Sequence, residues 1–298
     1  MAVRPRNRGG ISRLPGVTAL IATTGLLLSG CADDAPSPAH DDGPGGGTTD
    51  LAHIHGLGIN PADDVLYVAS HHGVFRVTGK DDPVQVAGRT QDFMGFTVIG
   101  PDHFLGSGHL GPEDADQPPH LGLIESTDAA ETWRSVSLSG EADFHAMEAK
   151  HDRVYGFDSQ SGRLMVSEDR KSWDSRAGIG LADLAVSPAN AEEMLATTER
   201  GPARSTDGGR TFDPIGDAPT LVFVDWPAPD RLIGVAPDSV VYTSDDGGES
   251  WTTGGQVAGR PQAIVGHGDA EVYLATEGGI HHSADNGKTF SEFQSLQP

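Results

Sequence analysis

Ser205-Thr206-Asp207-Gly208-Gly209-Arg210-Thr211-Phe212 decides the fold because it recurs. It returns as S-D-D-G-G-E-S-W at Ser244–Trp251 and as S-A-D-N-G-K-T-F at Ser283–Phe290, 39 residues apart each time. Two degraded copies precede it. S-T-D-A-A-E-T-W spans Ser126–Trp133, and S-E-D-R-K-S-W, one residue short, spans Ser167–Trp173. Self-similarity at this period marks repeated supersecondary units that stack on one another. Within each copy a strand ends at the Ser. The carboxylates of Asp128, Asp169, Asp207, Asp246 and Asp285 are placed to accept main-chain N–H groups of their own turns. Gly supplies the positive φ of a tight hairpin, and the closing aromatic is placed to wedge between neighbouring sheets.

The phrase resembles the Asp-box, or BNR repeat, of β-propellers such as sialidases, sortilin-type receptors and photosystem assembly factors. The resemblance implies that these Asp residues are structural parts of a hairpin between the third and fourth strands of a blade. Six units of four short strands fit residues 51–298 at about 41 residues per unit. Seven blades would need about 35 residues each, and no seventh repeat is found. The expected architecture is therefore an all-β, six-bladed propeller of antiparallel strands. Its first strands are expected at His53–Ile59, Phe93–Ile99, Phe144–Ala149, Leu181–Val186, Leu221–Asp225 and Gln262–Gly266.

Composition agrees with many turns and few helices: 40 Gly, 20 Pro and 6% aromatics in 298 residues. The net charge of −23 repels nucleic acid and anionic headgroups, so no nucleic-acid partner is expected. A single cysteine excludes an internal disulfide. Residues 1–30 carry four arginines, no acids and an apolar run from Val17 to Leu28, the pattern of a secretion signal. Leu28-Ser29-Gly30-Cys31 resembles a bacterial lipobox, which implies cleavage before Cys31 and lipid attachment to it. Residues 31–50 then form a lipidated, Pro/Gly/Asp-rich tether. The expected location is the outer face of a bacterial cell membrane.

The unusual residues fall in the first three units. Their first strands read His53-Ile54-His55-Gly56, Asp92-Phe93-Met94-Gly95 and Asp143-Phe144-His145-Ala146. Period-two alternation puts the first and third positions on one strand face, followed by a small residue that permits close approach. His71 and His72 lie in the next turn of unit 1. His109 and His120 flank an expanded loop in unit 2, Leu110–Gly122, which is placed to act as a lid. So His53, His55, His71, His72, Met94, His109, His120, Asp143 and His145 are expected at one mouth of the central channel. Imidazole suits copper or zinc, and a thioether favours Cu(I). Three uses stay open: a transition-metal site, a polar pocket for an organic ligand, or histidines that pair with Asp92, Asp143 and Glu148 as structural groups.

The sialidase likeness does not extend to chemistry. The one Arg-Leu-Pro lies in the signal segment at Arg13–Pro15, and Tyr67, Tyr155, Tyr242 and Tyr273 sit in ordinary strand positions. Residues 51–298 resemble more specifically bacterial exported propeller lipoproteins, which share H-I-H-G-L, H-H-G-V-F and D-F-M-G-F and are loosely labelled glycosyl hydrolases. The label transfers no catalytic residue, so whether the chain is an enzyme stays open, with Asp143 and His145 as acid–base candidates. The remaining alternatives are a binding module for a metal or small ligand, and a protein-interaction scaffold.

Overall fold

The computed structural model describes residues 51, 53–111 and 116–296. The signal segment, Cys31 and the tether lie outside the described residues, as do 112–115 of the expanded loop. The described residues belong to one compact unit, Gly47–Pro298. Twenty-four strands form six antiparallel sheets of four, each in chain order, and no helix occurs among the described residues. This is a six-bladed β-propeller. The first strands of the blades are Ile54–Asn60, Asp92–Gly100, Phe144–Lys150, Leu181–Val186, Phe223–Ala228 and Pro261–His267. All six line a central channel of about 560 Å³.

The repeated turn is built as its chemistry requires. Ser205 Oγ donates to Asp207 Oδ1 at 2.8 Å and accepts the Gly209 amide at 2.8 Å. Asp207 accepts the Thr211 amide at 2.9 Å and its hydroxyl at 2.7 Å. The same bonds recur around Asp128, Asp246 and Asp285. In the short copy Asp169 accepts the Lys171 and Ser172 amides instead, at 2.8 and 2.7 Å. Gly208 and Gly209 hold φ of 71° and 82°; in the degraded copy Ala129 and Ala130 hold the same left-handed region at 56° and 71°. The side-chain bonds there sustain a conformation that Ala would otherwise avoid.

The aromatics that close the copies wedge between sheets. Phe212 packs with the core of blades 3 and 4, Trp251 with blades 4 and 5, and Phe290 with blades 5 and 6. Ring closure uses no strand exchange among the described residues. Blade 6 supplies its own fourth strand, Ser291–Ser295, and Ile54 and Phe75 of blade 1 pack with Ala263 and Ile280 of blade 6. Each fully buried Phe or Ile contributes about 1.5–3 kcal/mol.

One expectation needs revision. Strict alternation does not hold at the channel mouth, because the first strands bulge there. Ile54 pairs with Ser70 and Gly56 with Ala69, which leaves His55 as the extra residue. Met94 and His145 are the extra residues of blades 2 and 3. Ala182 and Gln262 take the same place in blades 4 and 6. A bulge re-aims side chains, so these positions are equivalent around the ring through the bulge and not through alternation. The small residue that follows is needed for close approach: a Cβ on Gly95 would lie 2.5 Å from the Phe144 carbonyl oxygen of the next blade.

Asp207 and Asp285 are held down to about 2, by the amide and hydroxyl of Thr211 and of Thr289. Their unfolded values are near 3.9. A lowered folded pKa stabilises above about pH 4, and that contribution is lost as pH falls toward 2. Melts of Asp207→Asn followed by circular dichroism should show a midpoint a few degrees lower at neutral pH. The loss of stability between about pH 4 and 2 should also be shallower than in the parent chain.

Candidate functional site

The three bulges and the turns beside them bring six of the expected residues, with Asp92, into one continuous chain of contacts across blades 1 to 3. His55 Nε2 lies 3.2 Å from His71 Nε2. His71 Nδ1 lies 2.6 Å from Asp92 Oδ1, and the other oxygen of Asp92 lies 3.0 Å from His109 Nδ1. His109 Nε2 lies 3.1 Å from Asp143 Oδ2, which also meets His145 Nε2 at 2.9 Å and the Ser159 hydroxyl at 2.8 Å. His120 Nδ1 stands 4.0 Å from that oxygen, and His120 pairs with His109 as an isolated β-bridge.

The carboxylates assign the protons. An ionised carboxylate only accepts, so the His71 nitrogen facing Asp92 carries hydrogen, and in neutral His71 the lone pair of Nε2 points at His55. Burial lowers His55 to about 4, helped by the neighbouring His71, so its imidazole is neutral at physiological pH. His109 is the opposite case. Burial lowers it, but the hydrogen bonds and charges of Asp92 and Asp143 more than offset this, and its pKa is raised from the ordinary histidine value. Burial would raise Asp143. Hydrogen bonds from His145 and Ser159, with the charges of His145 and His109, overcome it and hold the carboxyl well below its usual range.

Other expected residues take lesser places. His53 is exposed with φ 53°, its ring 5.2 Å from that of His71. His72 is exposed; its backbone amide donates to Ser70 Oγ and its carbonyl accepts from Gln85. Met94 is half-buried on its bulge. Glu148 does not pair with the histidines. It lies deeper in the channel with Lys150, Nζ to Oε1 2.5 Å.

That deeper group contains Asp183 and Asp225, which stand outside the aligned His/Asp/Met pattern of the first three blades. Glu148 accepts the Val186 amide of blade 4 at 2.6 Å, Asp183 the Val224 amide of blade 5 at 2.9 Å, and Asp225 the Gly266 amide of blade 6 at 2.6 Å. Lys150 bridges inward to the carbonyls of Val186 and Trp226. Burial raises all three carboxyls, Asp183 to about 8. The available signal was a lone charge inside an otherwise apolar first strand, as in Leu-Ala-Asp-Leu at Leu181–Leu184.

Asp143 and His145, the acid–base candidates, are bonded to each other. Asp143 is ionised and buried, so it has no proton to donate at neutral pH.

No family model matches the chain, and no curated protein matches it. Solved structures do. YCF48 bound to D1 peptide is 17% identical with a TM-score of 0.53, covering 82% of this chain and 82% of that one. The nidogen/laminin complex is 10% identical with a TM-score of 0.58, covering 76% and 92%. The WD40 β-propeller domain of Doa1 is 7% identical with a TM-score of 0.56, covering 81% and 81%. At these identities the likeness is one of fold, the β-propeller.

Proposed function

We propose that the chain is a membrane-anchored binding module outside the cytoplasm whose channel mouth takes up a transition metal, copper or zinc. The carrying observation is the His55–His71 pair. Their Nε2 atoms are 3.2 Å apart. Two imidazoles at about 2.0–2.1 Å from one ion at a tetrahedral angle have nitrogens about 3.3–3.4 Å apart. The Asp92 carboxylate behind His71 fixes its tautomer and orientation, the outer support that metal-bound histidines use. Burial keeps His55 neutral, so a metal has to displace only the one hydrogen that its Nε2 shares with His71, which shifts to Nδ1. Exposed His53, its ring 5.2 Å from that of His71, offers a further imidazole. Met94 is the donor that would favour Cu(I) over zinc. In this reading the Asp-box likeness of the turns concerns folding alone, and the lipobox likeness at Cys31 supplies the anchor.

Protein docking is the second reading. It draws on two of the similar propellers, one with a bound peptide and one in a protein complex. A glycan hydrolase would need a protonated acid at the mouth, and Asp143 does not meet that need.

The test is a titration of the full chain in detergent with Cu(I), Cu(II) and Zn(II) against a competing chelator, repeated with His55→Ala/His71→Ala. Tight binding that weakens at least about 100-fold at this position in the variant is expected. Equal, weak, multi-site binding in both proteins would overturn the reading and leave docking, to be sought as a partner captured equally by both. For the anchor, Cys31→Ser should abolish incorporation of labelled fatty acid and move the chain out of the membrane fraction; retention of both label and membrane association would overturn it.

A further inference from the structure

We propose that the junction of blades 2 and 3 is a second, separate cation site, formed by His109, His120, Asp143 and His145 and suited to a divalent borderline metal such as Zn(II). It draws on different residues from the His55–His71 site and stands or falls without it.

The Asp143 carboxylate is satisfied on one side only. Asp143 is 1% exposed. Three donors crowd its Oδ2: His109 at 3.1 Å, His145 at 2.9 Å and Ser159 at 2.8 Å. Its Oδ1 is buried with no hydrogen-bond partner among the described residues. An unpartnered buried carboxylate oxygen costs stability, and native structures rarely tolerate one without an ion or water to meet it. The second orphan is adjacent. His120 Nδ1 is buried, lacks a partner among the described residues, and faces Asp143 at 4.0 Å. Ligand atoms of His109, Asp143 and His145 all lie within 4.8 Å of one another. These three give two imidazoles and a carboxylate, and His120, whose Nδ1 stands 4.0 Å from Asp143 Oδ2, completes a four-coordinate set for zinc by moving toward them, with no soft donor to select Cu(I).

The surroundings are those of a built site. Ser159 and the Asp158 carboxylate, which accepts the Asp143 amide at 2.9 Å, hold Asp143 in place. Asp92 orients His109 through Oδ2 while it orients His71 through Oδ1. One carboxylate thus stands behind a histidine of each site as a positioning residue. A metal entering the second site takes the place of the ring hydrogens that now face Asp143, which move to the other ring nitrogen where that is free to take them and otherwise leave to solvent. It would also tie His120, at the end of the expanded loop, to blade 3.

The test counts ions on the full chain in detergent. Wild type, His55→Ala/His71→Ala and His120→Ala/His145→Ala are each equilibrated with Zn(II) and a competing chelator, and bound metal is measured after buffer exchange. Two ions are expected in the wild type and one in each double variant. Asp92→Asn should keep both but weaken each by about 10–100-fold. One ion in the wild type that is lost only from His55→Ala/His71→Ala would overturn the second site and leave the first intact. One ion lost only from His120→Ala/His145→Ala would support the second site and remove the first. Weak binding equal in all proteins, an adventitious ion only, overturns both. Should His120→Ala/His145→Ala fail to fold, His55→Ala/His71→Ala alone decides: one equivalent of Co(II) with a tetrahedral visible spectrum supports the second site, and no tightly bound Co(II) overturns it.

Discussion

The inner strand of every blade is an edge strand that faces the channel, and its free backbone groups need partners from the next blade. That constraint shapes the whole ring. At successive junctions a side chain of one blade accepts an amide of the next. Asn60 accepts Asp102, Ser107 accepts Phe144, Glu148 accepts Val186, Asp183 accepts Val224, Asp225 accepts Gly266 and Gln262 accepts Ile54. The apolar clusters between sheets supply the bulk of the stability, while these bonds set the register of one blade against the next.

The same requirement divides the ring into two halves. From blade 3 through blade 6, buried carboxyls satisfy the junctions directly, and Lys150 offsets part of their charge. From blade 1 through blade 3, Asn60 and Ser107 take the junction amides, and imidazoles and carboxylates meet side chain to side chain across the same junctions. Those histidines sit at the bulges or at strand ends, where side chains are turned toward the mouth. Imidazole nitrogens half-exposed at an opening are accessible to an ion; carboxyls deep in the channel are committed to backbone amides. The position of the candidate site follows from which half uses which chemistry.

Much of this was legible in the sequence. The 39-residue period fixed the number of blades because each copy of the turn must meet the same hydrogen-bond demands, as Ser205, Asp207 and Thr211 do. The mouth cluster was legible as well, since His55, Met94 and His145 hold one place in three aligned strands. The bulges were not, because a bulge leaves no signature beyond the small residue after it, and alternation alone gave the grouping for the wrong reason. Asp183 and Asp225 stayed hidden because a single acid in an apolar strand has the same pattern whether it faces solvent or staples a neighbour. His72 shows the converse: sequence adjacency to His71 put it in the cluster, and the turn directs it to solvent.

The central claim is that the His55–His71 pair receives a metal ion. Crystals of the chain equilibrated with copper or zinc, with diffraction collected on both sides of the metal's absorption edge, test it most directly. An anomalous peak about 2.0–2.1 Å from the Nε2 atoms of both residues is expected. Peaks confined to carboxylates on the outer surface, with the two imidazoles still bonded to each other, would contradict it.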